Sequence, residues 1–549
     1  MQVSKELHRL FQGWGRRSPG ASRPPFFLTL AAALVAIAIA LPLAYLVLRT
    51  SSIGAEQIWT LLSRPRTLTV LLNSAGMAAA VTLLSALIAI PLAFLTLRTD
   101  LPGRKGWLIA ATLPLAIPSY VGSFTLLATF GPKGSGLQLL LEPWGVQELP
   151  SIYGWPGTLL ALTLFTYPYL LLSVRAGLQG IDPALEEVAR SLGRSPWSTF
   201  WQVTLPQLRP AIVAGGLLVA LYALRDFGTP SLMRFDAFTR VIFLQYKSSF
   251  DRTSASMLAL VLVGLVLSIL WLEYRVRSRA KYYSRAAAVR RNPQLVKLGP
   301  WKWPALLFCG AIVGLSLVLP FAMTIFWLVR GWFVKVDMLA PTDLLHIAFN
   351  SISAAGLAAI AAIVFALPVA VLSVRFPGRV TTAIERCSYI GFGLPGIVVA
   401  LSLVFFGANY LPWIYQTLPL LVFAYLILFL PQTVGTVRSS LLQINPQVEE
   451  VARSLGRTPW QTLREITLPL VRSGILSGTV LVFLTAIKEL PATLLLAPIG
   501  FKTLATQIWQ ATENISFAEA AAASLVMLLV SAASTLIVLA QDHARTSPR

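Results

Sequence analysis

Glu186-Glu-Val-Ala-Arg-Ser-Leu-Gly-Arg-Ser-Pro-Trp-Ser-Thr-Phe-Trp-Gln-Val-Thr-Leu-Pro206 returns later in the chain as Glu449-Glu-Val-Ala-Arg-Ser-Leu-Gly-Arg-Thr-Pro-Trp-Gln-Thr-Leu-Arg-Glu-Ile-Thr-Leu-Pro469. Fifteen of the 21 positions are identical, whereas the sequences around the two copies differ far more. Something constrains this stretch that does not constrain its surroundings. Asp182-Pro183 and Asn445-Pro446 read as an N-cap followed by proline at the first helical position, and Gly193 and Gly456 suit C-terminal stops. These signals predict a helix of about ten residues in each copy. Leu185, Val188, Ala189 and Leu192 recur at i, i+3, i+4 and i+7, as do Val448, Val451, Ala452 and Leu455. Glu186 with Arg190, and Glu449 with Arg453, are i,i+4 pairs on the other side. A second short helix is expected from Ser195-Pro196, or Thr458-Pro459, to the Leu-Pro that precedes the next apolar run. A helix this short is marginal in water and needs a surface for its apolar stripe. Its own protein can supply one, or a groove on a soluble partner can. Near-identical stripes in two different settings favour two identical external partners.

The similarity extends outward from this loop. Asn73-Ser74 matches Asn350-Ser351, Pro91 matches Pro368, Arg98 matches Arg375 and Pro118 matches Pro395, at an offset of 277. Pro168 then matches Pro431, Arg175 matches Arg438 and Pro206 matches Pro469, at an offset of 263. The first half thus carries 14 extra residues, expected in the segment Gly131 to Tyr153. Each half is one unit of a tandem repeat.

The composition defines what is repeated. Of 549 residues, 56% are hydrophobic and only 12% charged, where a soluble domain has roughly 25%. The apolar residues come in long runs, such as the uncharged stretch Phe26 to Leu48, and about 20 such residues span a bilayer as a helix. Twelve spans are expected, at about 26–48, 71–97, 107–130, 156–174, 210–227, 254–274, 303–329, 348–374, 386–408, 412–434, 472–490 and 518–540. The fold class is therefore all-α: a polytopic membrane protein of two six-helix repeats. Six is even, so both halves enter from the same side and run parallel, related by an axis along the membrane normal. The expected organisation is a basic N-terminal segment 1–25, a first half 26–274, a basic linker 275–302, a second half 303–541 and a tail 542–549.

Charge orients these spans. With the N-terminus in the cytoplasm, the cytoplasmic segments hold 31 of the 44 basic residues, while the acids split 11 and 11. The positive-inside bias places both termini in the cytoplasm. The net charge of +22 is explained by this bias, and no aromatic-basic interleaving suggests nucleic acid. The linker 275–302 is the richest basic segment. It reads as a topogenic stretch along anionic headgroups, or as a partner-binding one. The run Phe26 to Leu48 is longer than the apolar core of a cleavable signal and reads as an uncleaved first span. Two cysteines, Cys309 and Cys387, make neither a disulfide framework nor a four-ligand zinc site. His8, His346 and His543 have no metal-ligand spacing.

The duplicated loop resembles the coupling motif of binding-protein-dependent ABC permeases, Glu-Ala-Ala-x3-Gly-x9-Ile-x-Leu-Pro. The matches are Glu187, Ala189, Gly193, Leu205 and Pro206, and Glu450, Ala452, Gly456, Ile466, Leu468 and Pro469. Val188 and Val451 stand at the first alanine and Val203 at the isoleucine, changes that preserve the helix and its stripe. The resemblance implies a bacterial inner-membrane permease gripped by two copies of a separate ABC ATPase, one on each loop. A periplasmic or lipid-tethered binding protein would deliver the substrate. No cofactor is expected in this chain, since it has no Gly-x4-Gly-Lys-Ser/Thr phosphate loop. ATP and Mg belong to the partner, so this chain is expected to be a transport subunit and not an enzyme. A secondary transporter of two parallel six-span halves is the rival architecture, and it leaves the duplicated loop unexplained.

The stretches Arg225 to Thr239 and Lys488 to Leu496, with Gly500 to Thr503, resemble ferric-iron permeases of the fused twelve-span kind. Thiamine and phosphonate are the alternative cargoes. Arg225-Asp226 and Lys488-Glu489 are paired at the 263 offset, near the ends of the fifth and eleventh spans. Charges so close to a span are costly unless they face a pathway, a partner or one another. Asp226 and Glu489 are therefore candidates for lining the outer mouth of the pathway, with an interfacial salt bridge as the other reading.

Overall fold

A computed structural model describes residues 24–51, 54–247, 252–279, 295–334 and 339–546. Most of the basic segment 1–25, the middle of the linker (280–294) and the last residues of the tail lie outside the described residues. Among the described residues nine helices are long and apolar enough to cross a membrane. A tenth candidate is the bent pair Arg104–Ala116 and Ser119–Phe130, and two shorter apolar helices are Gly396–Tyr410 and Phe517–Ala533. Each of the twelve expected spans overlaps one of these helices, the ninth only in its second part. Many of the exposed residues along them are apolar, including Leu72, Leu83 and Leu87 on Pro65–Arg98 and Ile360 and Val364 on Pro341–Arg375. Apolar side chains facing outward from helices of this length are what lipid contact requires.

Two expectations about the spans need correction, and proline explains both. The third span is not a straight helix, because its two parts meet at 99°. Pro118 sits at the break with extended backbone, φ −61° and ψ 143°. Its repeat partner Pro395 has φ −63° and ψ 141° and precedes the helix Gly396–Tyr410, so the ninth span is interrupted too. Proline supplies no N–H to the preceding turn, and each of these becomes the first non-helical residue of a new start.

The reverse happens at Leu205-Pro206 and Leu468-Pro469, where a helix end was expected. The chain instead runs on as Pro196–Arg225 and Trp460–Ala486. A wide, π-type turn precedes each proline, at Phe200–Thr204 and Leu463–Thr467. A proline inside an α-helix crowds the carbonyl four residues back, and the wider turn relieves that crowding without ending the helix. The fifth and eleventh spans are therefore longer than their apolar runs.

The chain packs as two compact units. One comprises residues 1–41, 358–392 and 429–482, and the other residues 42–357, 393–428 and 483–549. The smaller unit has a core of Ala370, Val437, Leu441 and Val471. The larger has one of Phe124, Ala128, Trp327, Ala511, Ala520 and Ala521, where the Trp327 indole donates to the Ala128 carbonyl at 3.2 Å. The extra residues of the first half lie between Phe130 and Trp155, where a short helix Gly136–Leu141 is capped by Ser135.

Candidate functional site

The duplicated loop folds twice in the same way. Each copy opens with a nine-residue helix, Pro183–Ser191 and Pro446–Ser454. The Asp182 carboxylate accepts from the Ala184 N–H at 3.0 Å, and the Asn445 side chain accepts from Gln447 N–H at the same distance. Gly193 and Gly456 close the helices in the left-handed region, at φ 84° and 86°. Gly193 N–H donates to Arg190 O and Arg194 N–H to Ala189 O, and Gly456 and Arg457 repeat both bonds onto Arg453 and Ala452. This is the paired closure of a Schellman end, which needs a positive φ at the glycine.

The expected stripe divides by exposure. Ala189 and Ala452 are buried against the protein itself. Leu185, Val188 and Leu192 are 49%, 56% and 77% exposed, and Val448, Val451 and Leu455 are 45%, 56% and 78% exposed. Three large apolar side chains in each copy thus lie open on a short polar-flanked helix. Trp197 and Trp460, from the next helical turn, are also exposed. Glu187 is half-buried and Glu450 exposed. Leu205 and Leu468 lie inside the continuous helices described above, each followed by its proline.

Each helix is fixed to its own half by a buried ion pair that replaces the expected i,i+4 pairing. Glu186 is buried, accepts from Thr204 Oγ1 at 3.0 Å and has Arg98 Nη2 at 3.7 Å. Arg98 also donates to the Leu178 carbonyl at 2.9 Å. Glu449 accepts from Thr467 Oγ1 at 3.1 Å and from Arg375, whose Nη2 and Nε reach the same oxygen at 2.8 and 3.2 Å. Arg190 and Arg453 turn instead to the main-chain carbonyls of Glu186 and Glu449, both at 3.3 Å. The acid was read as a surface partner because sequence spacing shows only its own helix. The signal that could have found the anchor is the match of Arg98 with Arg375 at the 277 offset.

Asp226 and Glu489 lie in the larger unit, one residue past the helix end at Arg225 and three past the end at Ala486. Asp226 accepts from Thr229 N–H at 2.8 Å and from the Ser119 hydroxyl. Glu489 accepts from Ala492 N–H at 3.3 Å, so each acid stands one residue before the N-cap of a short helix and accepts from an N–H in its first turn. Each is enclosed by protein yet keeps some accessible surface. Lys488 Nζ donates to the Leu115 carbonyl at 3.4 Å. Among the described residues no three His, Cys, Asp or Glu side chains converge as a metal centre.

The family model for the inner membrane component of binding-protein-dependent transport systems matches the chain twice, over residues 102–282 and 358–545. The chain belongs to this family. It is a multi-pass permease subunit, and the two matches coincide with the two copies of the loop. The chain is similar to Fe(3+)-transport system permease protein FbpB 2 of Haemophilus influenzae, with 35% identity over 93% of this chain and 97% of that one. It is also similar to the ferric transport system permease protein FbpB of Actinobacillus pleuropneumoniae, at 23% over 77% of this chain and 64% of the relative. The sulfate transport system permease protein CysT of Escherichia coli matches at 26% over 47% of this chain and 94% of its own length. That protein corresponds in extent to one half of this permease, as expected for a fused pair.

Proposed function

We propose that this permease imports ferric iron across the bacterial inner membrane, driven by two copies of a separate ABC ATPase and supplied by an external binding protein. The observation that carries the machine is the pair of exposed triplets, Leu185, Val188, Leu192 and Val448, Val451, Leu455, on two anchored helices. Each presents an amphipathic helix suited to a groove on a soluble partner, and the near-identity of the two calls for the same partner twice. The iron assignment rests on the relative of nearly equal length named for Fe(3+) transport, together with the stretches around Asp226 and Glu489.

In this reading the loops face the cytoplasm, both termini lie there, and ATP and Mg reside in the partner. Closure of the ATPase pair moves the helices Pro183–Ser191 and Pro446–Ser454. The buried pairs Arg98–Glu186 and Arg375–Glu449 pass that motion to the spans that carry the arginines. The continuous helices Pro196–Arg225 and Trp460–Ala486 carry it onward, since neither breaks at Leu205-Pro206 or Leu468-Pro469. The deciding experiment purifies the tagged chain with its ATPase and binding protein and measures uptake of labelled ferric iron into proteoliposomes. Uptake that needs both ATP and the binding protein supports the proposal. A stable, ATP-hydrolysing complex that moves no iron overturns the cargo and directs the assay to thiamine and phosphonates. Failure to form a complex overturns the docking role of the loops.

A further inference from the structure

Within the larger unit the first span of each half meets the third span of the other, and the two junctions are filled differently. Pro118 matches Pro395 at the offset of 277, so Ala128 corresponds to Phe405. Each lies near the end of the helix that follows its proline, Ser119–Phe130 or Gly396–Tyr410. At the first junction Trp327, from the helix Gly299–Val334, is buried and its indole donates to the Ala128 carbonyl at 3.2 Å. Arg330, nearly one turn on, has its Cζ 5.6 Å from the centroid of the Trp327 ring. At the second junction the facing helix is Phe26–Ser51, and no indole fills the space. A cavity of about 290 Å³ lies there, lined by Tyr45, Arg49, Phe405, Asn409 and Tyr410. Among the described residues that line it there is one cation and no acid. Tyr45 packs edge-on against Phe406 at 6.0 Å and against Tyr410 at 6.2 Å, which holds the two helix ends together beside the opening. Asn409 Nδ2 donates to the Phe405 carbonyl at 2.7 Å, and an amide nitrogen has a second N–H to offer.

We propose that this cavity binds a phosphate group. A guanidinium presents a planar fork of N–H donors that matches phosphate oxygens, and the Asn409 amide and the two tyrosine hydroxyls are further donors on the same walls. The volume stands near the lower end of small-molecule sites, roughly 300 Å³, so it takes an anion of headgroup size and leaves acyl chains outside. Val47 and Leu48, in the same turn of helix as Arg49, are exposed and apolar, a surface on which such chains can lie. Tyrosine at the end of a span marks the level of the headgroups. The phosphate can therefore come from an anionic phospholipid or, with the same oxygens, from solution. The bound anion joins the first half to the second at a junction whose counterpart is closed by Trp327 without a ligand. The site is independent of the cargo.

The test uses the full-length chain in nanodiscs of equal parts phosphatidylglycerol and phosphatidylcholine, with the phospholipid retained after release into detergent counted by native mass spectrometry. Binding of labelled inorganic phosphate is measured separately, by equilibrium dialysis of the chain in lipid-free detergent. R49Q is the test variant, and its exposed position spares the fold. R330Q is the control, because Arg330 lies on a ring at the closed junction. R49K keeps the charge without the fork and should bind more weakly than the parent and more tightly than R49Q. The expected result is a phosphatidylglycerol held by the parent and by R330Q, with affinity in R49Q about tenfold lower or more, the worth of a hydrogen bond to a charged group. Phosphate binding that R49Q loses, with lipid retention unchanged, supports the site and assigns its ligand to solution. Equal lipid retention by parent and R49Q with no binding of phosphate overturns the site, and so does an equal loss in R49Q and R330Q, which marks surface charge alone.

Discussion

The anchor of the second loop can be tested by dismantling it in steps. Arg375 reaches Glu449 through two nitrogens, and both side chains are only 12% exposed. Arg375→Met leaves the carboxylate with Thr467 as its remaining side-chain donor. Glu449→Leu leaves the guanidinium without its acid. Removing one partner of a buried pair costs about 3–5 kcal/mol, whereas replacing both with apolar residues of similar volume is often neutral. The penalty falls on the docking of the helix Pro446–Ser454 and not on the spans, so it is read as local opening. Tryptic cleavage after Arg453, under conditions where closing outruns cutting, tracks the open population. Each single variant should raise that rate by roughly two to three orders of magnitude, since about 1.4 kcal/mol is a factor of ten. The double variant should return most of the way to the parent. Single variants cleaved within about threefold of the parent, or a double variant as fast as the sum of the singles, would refute the buried-pair argument. The equivalent change Arg98→Met should give a smaller effect, because the first pair is longer at 3.7 Å.

Gly193→Val and Gly456→Val should leave the chain inserted but weaken ATPase co-purification and uptake. Nothing lies within 4 Å of a Cβ at either site, so the cost is the positive φ alone, about 1–2 kcal/mol each. Leu192→Asp combined with Leu455→Asp should abolish co-purification without changing the yield of the chain in membranes, because both positions are exposed; normal recovery of the ATPase would remove the stripe from the interface. Asp100 accepts from Leu298 N–H at 2.8 Å and pairs with Lys302 at 3.1 Å, and these contacts hold its carboxyl below the usual range. A depressed folded value means the contact is fully present above the ordinary aspartate range and is lost as pH falls through the lowered value. Asp100→Asn should therefore loosen the end of the linker at neutral pH, seen as faster proteolysis within 275–302, and should erase the acid dependence of that cleavage.

Membrane class and the repeat were legible because hydropathy over about 20 residues and a fixed offset are properties of the sequence itself. The loop helices were legible for a local reason: Asp182, Pro183 and Gly193 act within a few residues of where they stand. What was missed depends on distance in the chain. Glu186 looked like a surface acid until Arg98, 88 positions earlier, was placed against it. Proline was ambiguous in isolation. Pro118 breaks a span and Pro206 does not, and the difference lies in the wide turn Phe200–Thr204, which no residue type announces. The enclosure of Asp226 and Glu489 was invisible for the same reason, since burial is decided by helices remote in sequence.

The two loops share a sequence but not a setting. In the first half the end of the linker lies along the extended residues after Arg98: Val296 N–H donates to Arg98 O at 2.8 Å, and Asp100 N–H donates to Val296 O at 3.1 Å. The second half cannot repeat this. Where the first runs Arg98-Thr-Asp-Leu-Pro-Gly-Arg104, the second runs Arg375-Phe-Pro-Gly-Arg379, with no acid and a proline in place of an amide donor. Joining two permeases in one chain needs a linker that ends somewhere, and here it ends beside the arginine that holds the first helix. The shorter ion pair, Arg375 with Glu449, belongs to the copy without that strap. Identical partners on the two loops would thus meet the same apolar triplet on two differently held helices. On the proposed function, selection on a docked surface would keep Leu185, Val188 and Leu192 matched to Val448, Val451 and Leu455, while the supports beneath are free to diverge.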